Sequence, residues 1–264
     1  MSKRVVITGA AGGIGTEVTR LLRARGARVI GLDLDPADPD GIACDVRDQE
    51  AVDRAVAEAI ERLGGLDILI NNAGLGDPQS AGLAPDAKAL AVLDVNLIAP
   101  WRVTSAALPT LRASHGRVIN IASGLAYMAV PFAPAYCMSK RGLVAYSDAL
   151  RLEHGDAITV TTVYPGYIRT KIHEASKALG FGLEGMVPPE TVGAAAKVIV
   201  RAALDRPVRD VATTPIGGAG YVLARHSPRR VMDAVITRRV KHFARKGNFS
   251  ESPLARDYVQ RMSG

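Results

Sequence analysis

The stretch Arg4-Val5-Val6-Ile7-Thr8-Gly9-Ala10-Ala11-Gly12-Gly13-Ile14-Gly15 decides the fold. Its apolar, β-branched opening has the composition of a buried strand, and the glycines follow where the chain must turn sharply into a helix. Glycine lets a backbone approach a phosphate closely, and the amino end of the following helix favours negative charge. Any tight strand-to-helix connection can look the same, so the weight comes from what surrounds the turn.

Outward from that turn, short apolar runs alternate with amphipathic segments. Strands are expected at 4–8, 28–32, 66–70, 117–121, 158–163 and 208–213, and helices at 14–25, 48–63, 87–113, 135–153 and 189–203. Right-handed crossovers wind such units into an α/β fold, a Rossmann-type doubly wound parallel sheet. Pro100 and Pro109 are expected to kink the long third helix or to mark its ends. Residues 166–187 read as an apolar, glycine-containing loop, the place for a substrate lid. At 264 residues the chain has room for a single large α/β domain, placed at 1–224, with a basic helical extension at 225–264.

Hydrophobic residues make up 48% of the chain and aromatics only 5%, a mix that suits parallel strands closely covered by helices. There is no uninterrupted apolar run of membrane-spanning length and no leader-like opening, so the expected compartment is cytoplasmic. Cys44 and Cys137 are too few for a disulfide framework or a multi-cysteine metal centre, and no metal is expected. Residues 1–224 balance 23 Lys and Arg against 23 Asp and Glu, whereas residues 225–264 carry 10 against 3, so the whole excess of +7 lies in the tail.

Asp33 stands at the end of the second expected strand, 18 residues after Gly15, near the interval at which a carboxylate meets adenosine ribose hydroxyls. A carboxylate there attracts a free 2′-hydroxyl and repels a 2′-phosphate, which favours NAD over NADP. Gly12 and Leu34 add no basic group, leaving Arg4 and Arg47 as the cations that could reach a phosphate. Tyr136 and Lys140 are four residues apart, so on a helix they share a face. A nearby ammonium is a sensible way to lower a phenol pKa of about 10 towards a useful range.

With these residues assembled, the sequence resembles the short-chain dehydrogenase/reductase family from about residue 3 to about residue 214. Thr8 to Gly15, with Gly9, Gly13, Ile14 and Gly15, is similar to its cofactor turn, Asp45-Val46 to its adenine contact, and Asn71-Asn72-Ala73-Gly74 to the segment closing its fourth strand. Asn96, Ser123, Tyr136 and Lys140 match its catalytic tetrad, and Pro165-Gly166, Ile168 and Thr170 its nicotinamide-holding segment. The resemblance implies Tyr136 as general acid or base and Lys140 as its pKa modulator and a ribose contact. It also implies Ser123 as the holder of the substrate oxygen and Asn96 as the anchor of a water in a proton relay.

Gly124, Leu125, Ala126, Met128 and Tyr167, with Ile172, Leu179, Phe181, Leu183 and Met186 of the lid, form an expected pocket that is mostly apolar. The expected reaction interconverts a hydrophobic secondary alcohol and its ketone, steroid-like, terpenoid or fatty-acyl. The alternatives are an NADP-dependent 3-oxoacyl thioester reductase and, from another class, a non-catalytic dinucleotide-binding regulator.

The tail departs from the family, whose members commonly end in a strand that helps build a tetramer. A helix is expected from Ser227-Pro228, with proline at its first position, to a stop at Gly247. Val231, Met232, Val235, Ile236, Val240 and Phe243 fall on one face and most of the basic residues elsewhere. The first expectation is packing on the chain's own body or on a second subunit, the protein being a homo-oligomer, dimer or tetramer. Peripheral attachment to an anionic membrane and docking of an anionic carrier follow. Nucleic-acid binding is not expected, because the tail lacks interleaved aromatics.

Overall fold

The computed structural model describes residues 2–168, 189–214 and 226–247, with Leu223, Ser252, Ala255 and Gln260 as isolated positions. The first half comprises β1 (Arg4–Thr8), α1 (Gly13–Ala24), β2 (Arg28–Asp33), β3 (Ile42–Ala43), α2 (Gln49–Leu63) and β4 (Ile68–Asn71). Then come α3 (Ala87–Leu93), α4 (Ala99–Ala113), β5 (Arg117–Ile121), α5 (Pro134–His154), β6 (Thr159–Tyr164), β7 (Tyr167–Ile168), β8 (Pro189–Glu190), α6 (Val192–Leu204), β9 (Asp210–Ala212) and α7 (Arg229–Arg245).

Seven strands form one parallel sheet in the order β3-β2-β1-β4-β5-β6-β9, and β7 and β8 make a separate parallel pair. The winding direction reverses between β1 and β4, which opens a crevice at the carboxyl ends of those strands. Both faces of the sheet are covered, which explains the near-continuous apolar strands. On one face Val6, Leu69 and Val118 pack with Val56 of α2, Val103 of α4 and Leu150 of α5. On the other, Ile7, Ile70 and Ile119 pack with Val18 and Leu22 of α1 and Ile199 of α6. Each such side chain contributes about 1.5–3 kcal/mol by leaving water.

Helix ends follow local chemistry. Asp48 caps α2, accepting from Glu50 and Ala51 N–H at 2.9 and 3.2 Å, and Gly64 closes that helix at φ 71°. Asp86 and Thr191 cap α3 and α6 in the same way. No side chain caps α1, which begins after Gly12.

Arginines hold the amino edge of the sheet. Arg4, at the start of β1, grips both oxygens of Asp67 at 3.0 and 2.9 Å. Arg28, at the start of β2, donates to the Leu63 and Arg62 carbonyls closing α2, at 2.8 and 2.7 Å. Arg117, at the start of β5, donates to the Ala203 carbonyl of α6 at 2.9 Å.

Several expectations are corrected. The helix expected over 87–113 is interrupted by a π turn at Asp94–Ile98, where Ala99 N–H bonds the Asp94 carbonyl. Pro100 follows at once and has no N–H to give the Asn96 carbonyl four residues earlier, which is compatible with the break. Pro109 sits inside α4. The strands β3, β7 and β8 have two residues each, too short to leave a periodic signature, and β7 and β8 turn the two ends of the expected lid into a parallel bridge. Residues 169–188, with Thr170 and Phe181 and the lid side chains, lie outside the described residues.

In the tail, Pro228 stands before α7 instead of in its first position, at ψ 131°, and Gly247 closes the segment at φ 80°. The apolar face divides: Val240 and Ala244 are buried and Met232, Ile236 and Phe243 half-buried, whereas Val231 and Val235 are 52% and 54% exposed. A row at four-residue spacing is turned inward, and the neighbouring row is not. Among the described residues no helix is long and apolar enough to cross a membrane.

Candidate active site

The carboxyl ends of the strands open on a cleft of about 700 Å³. Gly9, Gly13, Ile14, Asp33, Asp45, Val46, Asn72, Ala73 and Gly74 line it at one end, and Ser123, Tyr136, Lys140, Pro165, Gly166 and Ile168 at the other. Residues spread over 160 positions of sequence are thus brought to one edge of the sheet.

The glycine turn is shaped by close approach. Gly9 has φ +67°, and a Cβ there would meet the Ala73 backbone at 2.7 Å; a Cβ on Gly15 would meet the Gly9 carbonyl at 2.1 Å. Thr8 fastens the turn to β4, its hydroxyl accepting from Asn72 and Ala73 N–H at 3.1 Å each, while Asn72 Nδ2 donates back to the Thr8 and Gly9 carbonyls at 3.0 Å. The uncapped start of α1 faces the cleft through Gly13 and Ile14, so its N–H groups are positioned for an anionic ligand. Asp33 crosses from β2 and accepts from Ala11 N–H at 2.8 Å, which holds its carboxylate at the rim. This cradle fits a dinucleotide.

Arg4 is removed from the question of a phosphate, being locked to Asp67 at the opposite edge of the sheet. Arg47 does line the cleft, and its guanidinium is paired with Asp45 at 2.7 Å. That pairing holds the Asp45 carboxyl below its ordinary pKa, chiefly through the Arg47 hydrogen bonds.

At the far end α5 presents Tyr136 and Lys140. The Lys140 ammonium donates to the Ile121 carbonyl at the end of β5, at 2.9 Å, and lies 5.8 Å from the centre of the Tyr136 ring. The Ser123 hydroxyl is near enough to the phenol to lower its pKa and accepts from Leu125 N–H at 3.2 Å, so it caps a turn of 3-10 helix at Gly124–Ala126 as well as facing the reacting group. Burial pushes the phenol up to about 12 against the lowering by Ser123. Burial also pushes Lys140 down to about 8. Removing both groups from water penalises each charged form.

Asn96 lies in the π turn, fully buried. Its Oδ1 accepts from Leu75 N–H at 2.7 Å, and its Nδ2 donates to the Leu75 carbonyl at 2.9 Å and to Ser139 Oγ at 3.1 Å. Ser139 in turn donates to the Tyr136 carbonyl at 2.8 Å. The Asn96 side chain is therefore committed to protein groups that fix the turn carrying Tyr136. Leu125 and Met128 are half-buried just after Ser123, and Tyr167 is buried in β7.

Two supports went unnoticed in the sequence. Asn71 Nδ2 donates to Thr104 at 3.0 Å and to Asn120 at 2.8 Å, and Asn120 passes the chain on to Ser147 of α5 at 2.8 Å. Arg141 Nε holds the Ala126 carbonyl at 2.9 Å, tying the Ser123 turn to α5. The legible signal was Asn71 and Asn120 as amides within otherwise apolar strands, since buried amides need partners.

The profile of the short chain dehydrogenase family matches residues 3–178 of this sequence. The chain belongs to the short chain dehydrogenase family. This short chain dehydrogenase is 30% identical over 204 residues to the 3-oxoacyl-[acyl-carrier-protein] reductase MabA of Mycobacterium avium, covering 75% of this chain and 80% of that protein. It is 38% identical over 188 residues to a Streptomyces coelicolor protein provisionally named ketoacyl reductase, covering 64% and 72%. Its fold matches a Burkholderia cenocepacia short chain dehydrogenase solved in complex with NADP, with a TM-score of 0.75, 25% identity and coverage of 89% and 98%. Membership makes this short chain dehydrogenase an NAD(P)-dependent oxidoreductase; which dinucleotide and which substrate it takes belong to the reading below.

Proposed function

We propose that the protein interconverts a hydrophobic secondary alcohol and its ketone with NAD as the dinucleotide. The observation that carries the cofactor preference is the Asp33 carboxylate, fixed at the cleft rim by Ala11 N–H, where a 2′-phosphate would meet negative charge. The bound dinucleotide supplies or accepts the hydride. Tyr136 holds its proton throughout the neutral range, because its pKa is pushed up to about 12, and is thus ready to protonate a carbonyl oxygen at its hydroxyl. Ser123 presents a hydroxyl to the same oxygen, and Lys140, anchored on Ile121, keeps positive charge beside the ring at neutral pH.

The names of the relatives favour a second reading, reduction of 3-oxoacyl thioesters, and the Burkholderia neighbour solved with NADP favours NADPH as its dinucleotide. Titrating the protein with NADH and NADPH by nicotinamide fluorescence, then adding lipophilic ketones and 3-oxoacyl thioesters, separates the two. Preferential NADH binding with turnover of a simple ketone supports the first reading; NADPH preference with turnover of thioesters alone replaces it with the second. Asp33→Ala should reduce the NADH-over-NADPH preference by about 10-fold, and an unchanged ratio removes Asp33 from cofactor selection.

A further inference from the structure

Glu190 was not singled out in the sequence, yet its carboxylate lies behind the reacting end of the cleft. It belongs to β8, which pairs with β7 through Tyr167↔Pro189 and Ile168↔Glu190. Its Oε2 accepts from Gly166 N–H at 3.0 Å and from the Thr213 hydroxyl at 2.6 Å. Its Oε1 is buried without a hydrogen-bond partner among the described residues. A buried carboxylate oxygen left without a donor is costly, so the position is held against a stability penalty.

The peptide unit between Pro165 and Gly166 is gripped from both sides. Its carbonyl accepts from Gly124 N–H at 3.3 Å, one residue after Ser123, and its N–H goes to Glu190. Both residues of this unit line the cleft beside Ser123, Tyr136 and Lys140. Gly166 is also close to the carboxylate, since a Cβ there would lie 3.3 Å from Oε2. Thr213 follows β9, its N–H bonding the Tyr164 carbonyl at 3.2 Å. One carboxylate therefore joins the segment after β6, the return strand β8 and the end of β9.

We propose that Glu190 is a positioning residue for the nicotinamide half of the dinucleotide: it sets the plane of the Pro165–Gly166 peptide and so the distance of that wall from Ser123. The inference rests on the dinucleotide reading. The adenine end, at Gly9, Asp33 and Asp45, is built from β1, β2 and the segment after β3, none of which Glu190 touches. The two halves of the ligand should therefore respond differently to its loss.

The test is calorimetric titration of wild type, Glu190→Ala and Glu190→Gln with NADH and, separately, with ADP-ribose, which lacks the nicotinamide. Glu190→Ala should weaken NADH by about 10-fold, the loss of one charge-assisted bond, and leave ADP-ribose within about 2-fold. Glu190→Gln keeps an acceptor for Gly166 N–H and should recover most of the NADH affinity. If Glu190→Ala does not fold, Thr213→Val, which removes the other donor to Oε2, should show the same selective loss in smaller degree. Equal weakening of both ligands, or no weakening of NADH, overturns the proposal alone. A wild-type protein that binds neither ligand overturns the dinucleotide reading and the proposal with it.

Discussion

Tyr136 and Lys140 were legible as a pair from their spacing, and the structure lines the same cleft with Ser123; the state of their protons was not legible. Spacing places two groups on one helical face but says nothing about the water each gives up, and burial moves the phenol to about 12 and the ammonium to about 8. Tyr136→Phe should lower turnover by at least about 1000-fold while NADH fluorescence titrations stay close to wild type; near-normal turnover would remove the residue from the chemistry. For Lys140 the folded pKa lies below the unfolded value near 10.5, so its contribution is present above pH 10.5 and is lost as pH falls through about 8. Urea unfolding of the ligand-free protein should therefore show wild type gaining stability relative to Lys140→Met between pH 8 and 10.5, by on the order of 3 kcal/mol. Parallel curves for the two proteins would show that Lys140 is not desolvated. Asp33 was legible too, because its position depends only on the length of the first strand-helix-strand unit.

At the level of elements, most of the sheet and its covering helices could be read from alternating apolar and amphipathic runs, with boundaries within two or three residues. The break at Asp94–Ile98 could not, because a single π turn of five residues is too short to shift the apolar pattern visibly and only Pro100 betrays it. That break matters for the site, since it buries Asn96 against Leu75 and Ser139. Asn96→Ala leaves the part-buried Leu75 N–H and carbonyl without their side-chain partner, removes one of the two bonds of Ser139, and should cost about 2 kcal/mol in chemical unfolding. A loss below about 1 kcal/mol would mean that the turn is held by its apolar packing. The two-residue strands β7 and β8 were illegible for a different reason: they exist only by pairing with each other across a long intervening segment.

For the whole molecule, the charge count finds a basic tail but not the direction in which its helix faces. Amphipathic spacing predicts one apolar stripe, while the structure buries Val240 to 1% exposure and leaves Val235 at 54%. Val240→Asp should lower stability by about 3 kcal/mol or more, and Val235→Asp by no more than about 0.5 kcal/mol. Equally small effects of both in thermal unfolding would show that α7 contributes nothing to the folded body.

The arginines that open β1, β2 and β5 give the sheet two unlike margins. Along one, guanidinium groups span from strand to neighbouring helix or loop; along the other, backbone amides and short turns wait for a ligand to span them. Fluctuations in such a molecule begin where backbone amides have no partner. Amide exchange in the free protein should be faster at Gly13, Ile14 and Gly74 than where Arg28 reaches the end of α2. A dinucleotide lying along the fast margin would then act as a missing brace, and its binding would be felt as thermal resistance of the entire sheet.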